Sequence, residues 1–506
     1  MSERTGREPK VPSQQQLPAG WEAVIGLEIH VELLTRSKVF CGCSTEFGAP
    51  PNTHVCPVCL GLPGSLPVLN EKAVEYATRA GLALHCEIAP YAKFDRKNYF
   101  YPDLPKAYQI SQYDLPLCKN GYLELRVGGK VRRIGITRVH MEEETGKLVH
   151  STATIVGSQY SLVDYNRSGV PLIEIVTQPD LRTPEEARLF LEELRSIMLY
   201  LGISDVKMEE GSLRCDANIS LRRPGETRLG TKTEVKNLNT FRAVERALRH
   251  EAFRQAAILE EGGRVLQETR GWDDATGATV PMRTKETVQD YRYFPEPDIP
   301  PLVLDRAWVE QIRKALPELP AARRQRFETQ FSLPAYDADV LCQHPAVADF
   351  FEKAAARFPD AKTVSNWVMG EILRLLKATG EEPAVLGAHP EWVDHLVGVL
   401  ELVQAGKINA AAGKEVLEES VRTGRAPEEI VRARGLEQVG DEAKLREWVK
   451  QAIGTNPDAV ASYRAGKAQA AGFLVGQVMK LSRGKANPKV VGELVQRELG
   501  PPGQGS

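Results

Sequence analysis

The chain has 506 residues, 42% of them hydrophobic, which is too long for one core and suits two or three domains. Its 65 Lys and Arg nearly balance 67 Asp and Glu. That balance excludes a strongly basic nucleic-acid coat but leaves room for a local basic patch. No apolar run approaches the roughly 20 residues that span a bilayer.

The opening stretch, 1–20, carries Glu3 and Glu8 and lacks an apolar signal core, so it reads as a disordered tail of a cytoplasmic protein. In Val24–Leu33 the alternation is strict: Ile25, Leu27, Ile29, Val31 and Leu33 face one way, and Glu28, His30 and Glu32 the other. This predicts a strand with a core face and an acidic face. Cys41, Cys43, Cys56 and Cys59 form two short-spaced pairs. Four thiolates brought together by two tight turns suit a tetrahedral Zn²⁺ with no open position, hence a structural site. Cys86, Cys118, Cys215 and Cys342 are isolated and read as core residues.

A helix is expected near Glu71–Leu84 and another near Thr183–Leu201. Between them, Phe94–Lys106 interleaves Arg96, Lys97 and Lys106 with Tyr99, Phe100 and Tyr101. Cations can hold phosphates and tyrosines can stack on bases, although a packed, solvated loop would look the same. Arg138–Lys147 adds three successive acids, Glu142, Glu143 and Glu144, and Tyr165–Gly169 is a polar turn before an apolar strand, Val170–Val176.

Leu213–Arg222 and Thr231–Asn237 repeat the alternation around a turn at Pro224-Gly225. A hairpin symmetric about Gly225 sets Asp216 opposite Glu234 and Arg214 opposite Lys236. Directly opposed like charges destabilise a sheet, so either a bulge shifts the register or a cation lies between the carboxylates. The Pro-rich stretch Phe294–Pro301 reads as a link to a helical region, in which Ser365–Leu376 and Pro390–Ala405 have helical spacing. A last helical block from Gly406 ends in a basic stretch through Arg483, Lys485 and Lys489. There is no phosphate-binding GxxxxGK[ST]: Gly413-Lys414 is followed by Glu415.

Ile25–Leu33, Phe94–Gln112, Gly211–Ser220, Asp290–Pro297 and Gly472–Met479 together resemble the B subunit of the aspartyl/glutamyl-tRNA amidotransferases almost word for word. The resemblance implies an α+β fold: a mixed or antiparallel-sheet cradle domain over 21–294, then two all-helical domains, 295–405 and a tRNA-binding tail over 406–506. It implies that Glu28, His30, Glu143, Asp216 and Glu234 are catalytic and hold Mg²⁺, and that the four cysteines hold structural Zn²⁺. Arg96, Lys97, Asn98, Tyr99, Asn166, Arg167, Ser168 and Lys236 become the candidate contacts to ATP and substrate. The implied activity is that of a ligase of protein biosynthesis: ATP activates the side-chain carboxylate of misacylated Glu-tRNA(Gln) or Asp-tRNA(Asn), and ammonia then forms the amide. The implied partners are an amidase A subunit acting as glutaminase, a small C subunit and the tRNA, with no membrane. The rival reading is a non-enzymatic, zinc-stabilised tRNA-binding subunit, against which a cleft lined with acids counts.

Overall fold

The computed structural model describes residues 17–151, 158–284, 290–437, 442–482 and 485–501. Most of the expected tail, residues 1–16, and Arg483 in the basic stretch lie outside them. The chain divides into two units, Met1–Ala322 and Arg323–Ser506.

The first unit opens with β1 (Glu22–Glu32), whose Ala23, Ile25, Leu27, Ile29 and Val31 are buried while Glu28, His30 and Glu32 stay partly exposed. Helix α1 (Glu71–Ala83) follows, its first turn capped by Asn70, whose side chain accepts from the Lys72 amide. Next come the short strands β2 (Glu87–Ile88), β3 (Tyr91–Ala92), β4 (Asp95–Asn98) and β5 (Tyr108–Ser111). Two long strands, β6 (Cys118–Val127) and β7 (Lys130–Glu143), form a hairpin, and β8 (Lys147–His150) with β9 (Ser161–Asp164) forms a smaller one. After β10 (Pro171–Thr177) comes α2 (Pro184–Leu201), with Thr183 as N-cap, Pro184 in the first turn and Gly202 closing it at φ 64. Strands β11 (Leu213–Arg222) and β12 (Thr233–Lys236), helix α3 (Phe241–Glu260), and strands β13 (Glu268–Asp273) and β14 (Ala278–Thr284) complete the main sheet.

That sheet has nine strands in the order β14-β13-β12-β11-β1-β10-β7-β6-β2. It is mixed: β12 and β13 are parallel, joined through α3, and the other pairs are antiparallel. One face carries the core, in which Ile25, Ile29, Ile175 and Ile219 pack with Ala77 of α1, Phe190 and Leu194 of α2, and Val244 and Leu248 of α3. Polar side chains of the central strands occupy the other face. A fully buried Leu or Ile contributes about 1.5–3 kcal/mol, so these helices fix which face is left for chemistry.

The hairpin register departs from the symmetric expectation. Asn218, not Asp216, is the partner of Glu234. Its connection is a long loop folded back on β11, where a Cβ on Gly230 would lie 2.2 Å from the Leu221 carbonyl oxygen. Such close backbone approach is open only to glycine, and the resulting offset carries Lys236, rather than Glu234, to the Asp216 carboxylate.

The Pro-rich stretch also behaves differently from a linker. β15 (Phe294–Pro295) pairs with β4, and β16 (Leu302–Val303) pairs with β3, so this segment belongs to the first unit. Proline is tolerated there because these are edge pairings. Helix α4 (Arg306–Lys314), capped by Asp305, follows within the same unit.

The second unit is helical throughout its described residues. Ala361–Trp367, a π-helical turn at Val368–Ile372, and Leu373–Thr379 form the first expected helical segment, and Glu391–Gln404 forms the second. Two apolar clusters hold it together, one spanning Phe327 to Val431 and one spanning Leu445 to Val495. The break falls after Val431 rather than at Gly406, because Ile408, Val416 and Leu417 are buried in the first cluster. Among the described residues, no helix is long and apolar enough to cross a membrane.

Candidate active site

The open face of the sheet concentrates its acids on three adjacent strands. Register places His30 of β1 beside Glu174 of β10, and Glu174 beside His140 of β7. His30 Nε2 lies 3.4 Å from Glu174 Oε2 and 3.6 Å from Glu142 Oε1. His140 Nε2 lies 3.6 Å from the same Glu174 oxygen and 3.7 Å from Glu142 Oε2. One ligand atom each from His30, Glu142 and Glu174 falls within 4.8 Å of the others.

Burial makes this cluster costly unless charges compensate. Burial alone would lift the Glu174 and Glu142 carboxyls, but the two imidazoles, with a contribution from Lys97, hold both below the usual range. Conversely, burial would lower His30, but the hydrogen bond to Glu174 and the charge of Glu142 raise it above its ordinary value. One imidazole and two carboxylates that favour ionisation fit a divalent cation of the Mg²⁺ or Mn²⁺ type.

A second acidic group continues along the same face. Glu28 lies directly opposite Asp216 on β11, so an opposed carboxylate pair does exist, between β1 and β11 rather than within the hairpin. Asn218 Nδ2 donates to Glu28 Oε1 at 3.2 Å. Lys236 bridges the rest: its ammonium contacts Asp216 and lies 3.4 Å from Glu234 Oε1, while Thr269 donates to Glu234 Oε2 at 2.6 Å. Beside Glu28 opens a cavity of about 300 Å³, lined among others by Val24, Gly26, Val176, Ser220 and Lys232.

Glu143 does not join either group. Its side chain lies on the core side of β7, where it contacts the Lys106 ammonium and accepts from the Ile110 amide at 2.8 Å. It lines a small cavity with Lys38, Cys41 and Cys59, toward the cysteine loop. Strand alternation makes Glu142, not Glu143, the neighbour of His30. Sequence reasoning missed Glu174 and His140 and took Glu143 rather than Glu142 from the acidic run, yet signals for all three existed. Val139 and Met141 are apolar, which sends His140 and Glu142 to the opposite face. Glu174 is the one acid within the apolar run Pro171–Thr177.

The basic, aromatic loop divides its labour. Arg96 is committed to Glu296 (2.6 Å) and Asp298 (3.0 Å) and stacks over Tyr108. Asn98 donates to the Arg292 carbonyl at 2.8 Å, and Tyr99 packs edge-on against Tyr291. Lys97 lies 5.1 Å from the Tyr291 ring centroid, and its charge reaches Glu142 and Glu174. In the turn before β10, Asn166 accepts from the His54 amide and donates to the Pro50 carbonyl. Arg167 donates to the carbonyls of Thr145 and Gly146, and Ser168 is buried. This turn braces the cysteine loop.

Within that loop, one Sγ each of Cys41, Cys43, Cys56 and Cys59 falls within 4.8 Å of the others, and the Cys56 amide points at Cys59 Sγ from 3.2 Å. Four convergent thiols with an N–H···S contact fit a tetrahedral Zn²⁺.

The family model for the GatB/GatE catalytic domain matches residues 23–310, and that for the GatB domain matches residues 349–499. The B subunit of the aspartyl/glutamyl-tRNA(Asn/Gln) amidotransferase of Carboxydothermus hydrogenoformans is 58% identical over 95% of this chain and 99% of its own length. The like-named protein of Moorella thermoacetica is 58% identical over 95% and 100%, and that of Thermodesulfovibrio yellowstonii 52% over 95% and 99%. With two family models spanning most of the sequence and full-length relatives above half identity, the chain belongs to the B-subunit family of aspartyl/glutamyl-tRNA(Asn/Gln) amidotransferases.

Proposed function

We propose that this chain carries out the carboxylate-activating and amide-forming steps on Glu-tRNA(Gln), Asp-tRNA(Asn) or both, in the cytoplasm alongside translation. The observation that carries this reading is the buried row of His30, Glu174 and His140 with Glu142 beside it, next to the Glu28–Asp216–Glu234 group. A pure RNA-binding surface gains nothing from buried acids, whereas phosphoryl transfer to a carboxylate has to manage like charges.

A carboxylate oxygen of the aminoacyl side chain attacks the γ-phosphorus of ATP, and ADP leaves. Ammonia then adds to the acyl carbon, loses a proton, and inorganic phosphate departs with the C–O electron pair, leaving the amide. Mg²⁺ held at these acids would offset phosphate charge and align the in-line displacement. His30, Glu142 and Glu174 form one candidate ligand set, and Glu28, Asp216 and Glu234 offer further oxygens along the phosphate path. Lys236 orients the Asp216 and Glu234 carboxylates, and Lys97 supplies a cation toward the transferring group. The cavity beside Glu28, lined by both apolar and polar side chains, is sized for a nucleoside.

The thiols of Cys41, Cys43, Cys56 and Cys59 hold a structural Zn²⁺ that shapes the loop bonded to the Asn166–Ser168 turn. Ammonia comes from a glutaminase A subunit, with a small C subunit completing the assembly. The test is amide formation on Glu-tRNA(Gln) with ATP, Mg²⁺ and ammonium, comparing the assembled wild type with Glu234→Ala. Activity confined to the wild type supports the reading. Equal activity in both would remove Glu234 from the mechanism, and none in either, with tRNA still bound, would favour a binding role alone.

A further inference from the structure

Two histidines flank the same pair of carboxylates, and at first sight either could hold a cation. Their second nitrogens tell them apart. Arg138 Nε lies 3.2 Å from His140 Nδ1 and donates to it. A guanidinium is a donor only, so Nδ1 must offer its lone pair to that bond. With Nδ1 accepting, the ring N–H is on Nε2, the atom that faces Glu142 and Glu174 at 3.7 and 3.6 Å. Both nitrogens of His140 are thereby spoken for, one by Arg138 and one by its own proton. Arg138 also reaches Glu174 directly, with Nη2 3.7 Å from Oε1. His140 is 3% exposed, so water does not readily replace these contacts.

We infer that His140, locked in one tautomer by Arg138, is a positioning residue whose Nε2–H faces Glu142 and Glu174 and directs their remaining lone pairs at a divalent cation ligated by His30. The inference rests on the proposed cation site at His30, Glu142 and Glu174, and adds to it a division of labour between two imidazoles. Donors behind metal-binding carboxylates fix their orientation, and losing such a partner weakens metal affinity by about 10–100-fold.

The experiment uses Mn²⁺ as the probe, bound to the full-length, zinc-loaded chain. Affinity is read by titration, and coordinated nitrogen by pulsed electron paramagnetic resonance. Wild type should show coupling to one imidazole nitrogen. His140→Ala should weaken Mn²⁺ binding by about 10–100-fold while keeping that single coupling. His140→Gln, which retains an N–H donor toward the carboxylates, should recover most of the affinity. Arg138→Met, a change at a partly exposed position, should weaken binding less than His140→Ala does. Two coupled nitrogens in wild type, or unchanged affinity in His140→Ala, would overturn the positioning role. Glu174→Ala separates this from the underlying site: Mn²⁺ binding that survives it, or no Mn²⁺ binding by wild type, places the cation elsewhere and overturns both.

Discussion

Cys41, Cys43, Cys56 and Cys59 converge within one loop, whereas His30, Glu142 and Glu174 reach each other from three strands spread over more than a hundred residues of chain. The first cluster is specified by spacing and turn geometry alone. The second exists only because the sheet order β1-β10-β7 and its register bring the side chains into line. A ligand set written locally serves local folding, and one written across a sheet can report on, and depend on, the whole domain. The two clusters should therefore fail differently.

The largest expected effect is at the sheet. Glu174→Ala removes a candidate ligand and leaves two imidazoles facing one carboxylate. Amide formation should fall by more than the roughly 100-fold that outer-sphere losses reach, while the protein stays folded. Activity within a few-fold of wild type would break the comparison at its more important end. Next comes Cys59→Ser, which should release zinc, measured by metal analysis, and lower the Tm by several degrees. Activity per folded molecule should fall much less than in Glu174→Ala. An equal loss of activity in the two variants would mean that the loop takes part in the chemistry.

A smaller effect is expected at Lys97, whose ammonium projects over the rings of Tyr291 and Tyr99 toward the acids. Lys97→Ala should change kcat/KM by roughly tenfold or less, about 1.4 kcal/mol, with Tm unchanged. A shift in Tm without a kinetic change would return Lys97 to a packing role. The mildest test uses a buried acid paired by arginines rather than histidines. Glu251 is fully buried; burial would raise its carboxyl, but Arg254 at 2.6 Å and the nearby Arg270 hold it below the ordinary value. Its contribution to stability is therefore full above the unfolded carboxyl value near about pH 4.3 and is lost as pH falls through the depressed folded value. Glu251→Gln should flatten that acid limb in pH-dependent unfolding without altering Mn²⁺ affinity. An unchanged limb would show that the pair adds no net stability.

Much of this was legible in the sequence, for reasons that follow from the same contrast. The alternation of β1, the helices α1 and α2, and the cysteine pairs are short-range patterns, and short-range patterns survive in a linear reading. The identity of the acid beside His30 did not survive, because a register shift near Thr137 changes which side of β7 faces the core. Ile134 and Ile136 are buried before it, and Val139 and Met141 after it. That single irregularity separates Glu142 from Glu143. The pairing of Asp216 was likewise hidden by one close approach at Gly230, and Glu174 by the apolar company it keeps within β10.

The placement of β1 at the middle of the sheet has a consequence for synthesis. Its partner β11 follows roughly 190 residues later in the chain, and β10 not much sooner. At about 5–20 residues per second, a ribosome takes roughly 10–40 s to deliver that partner. Until β10 emerges, the apolar face of β1 has no neighbouring edge to join. Nascent chains of this protein should therefore be clients of holding chaperones until the stretch around Pro171–Thr177 emerges.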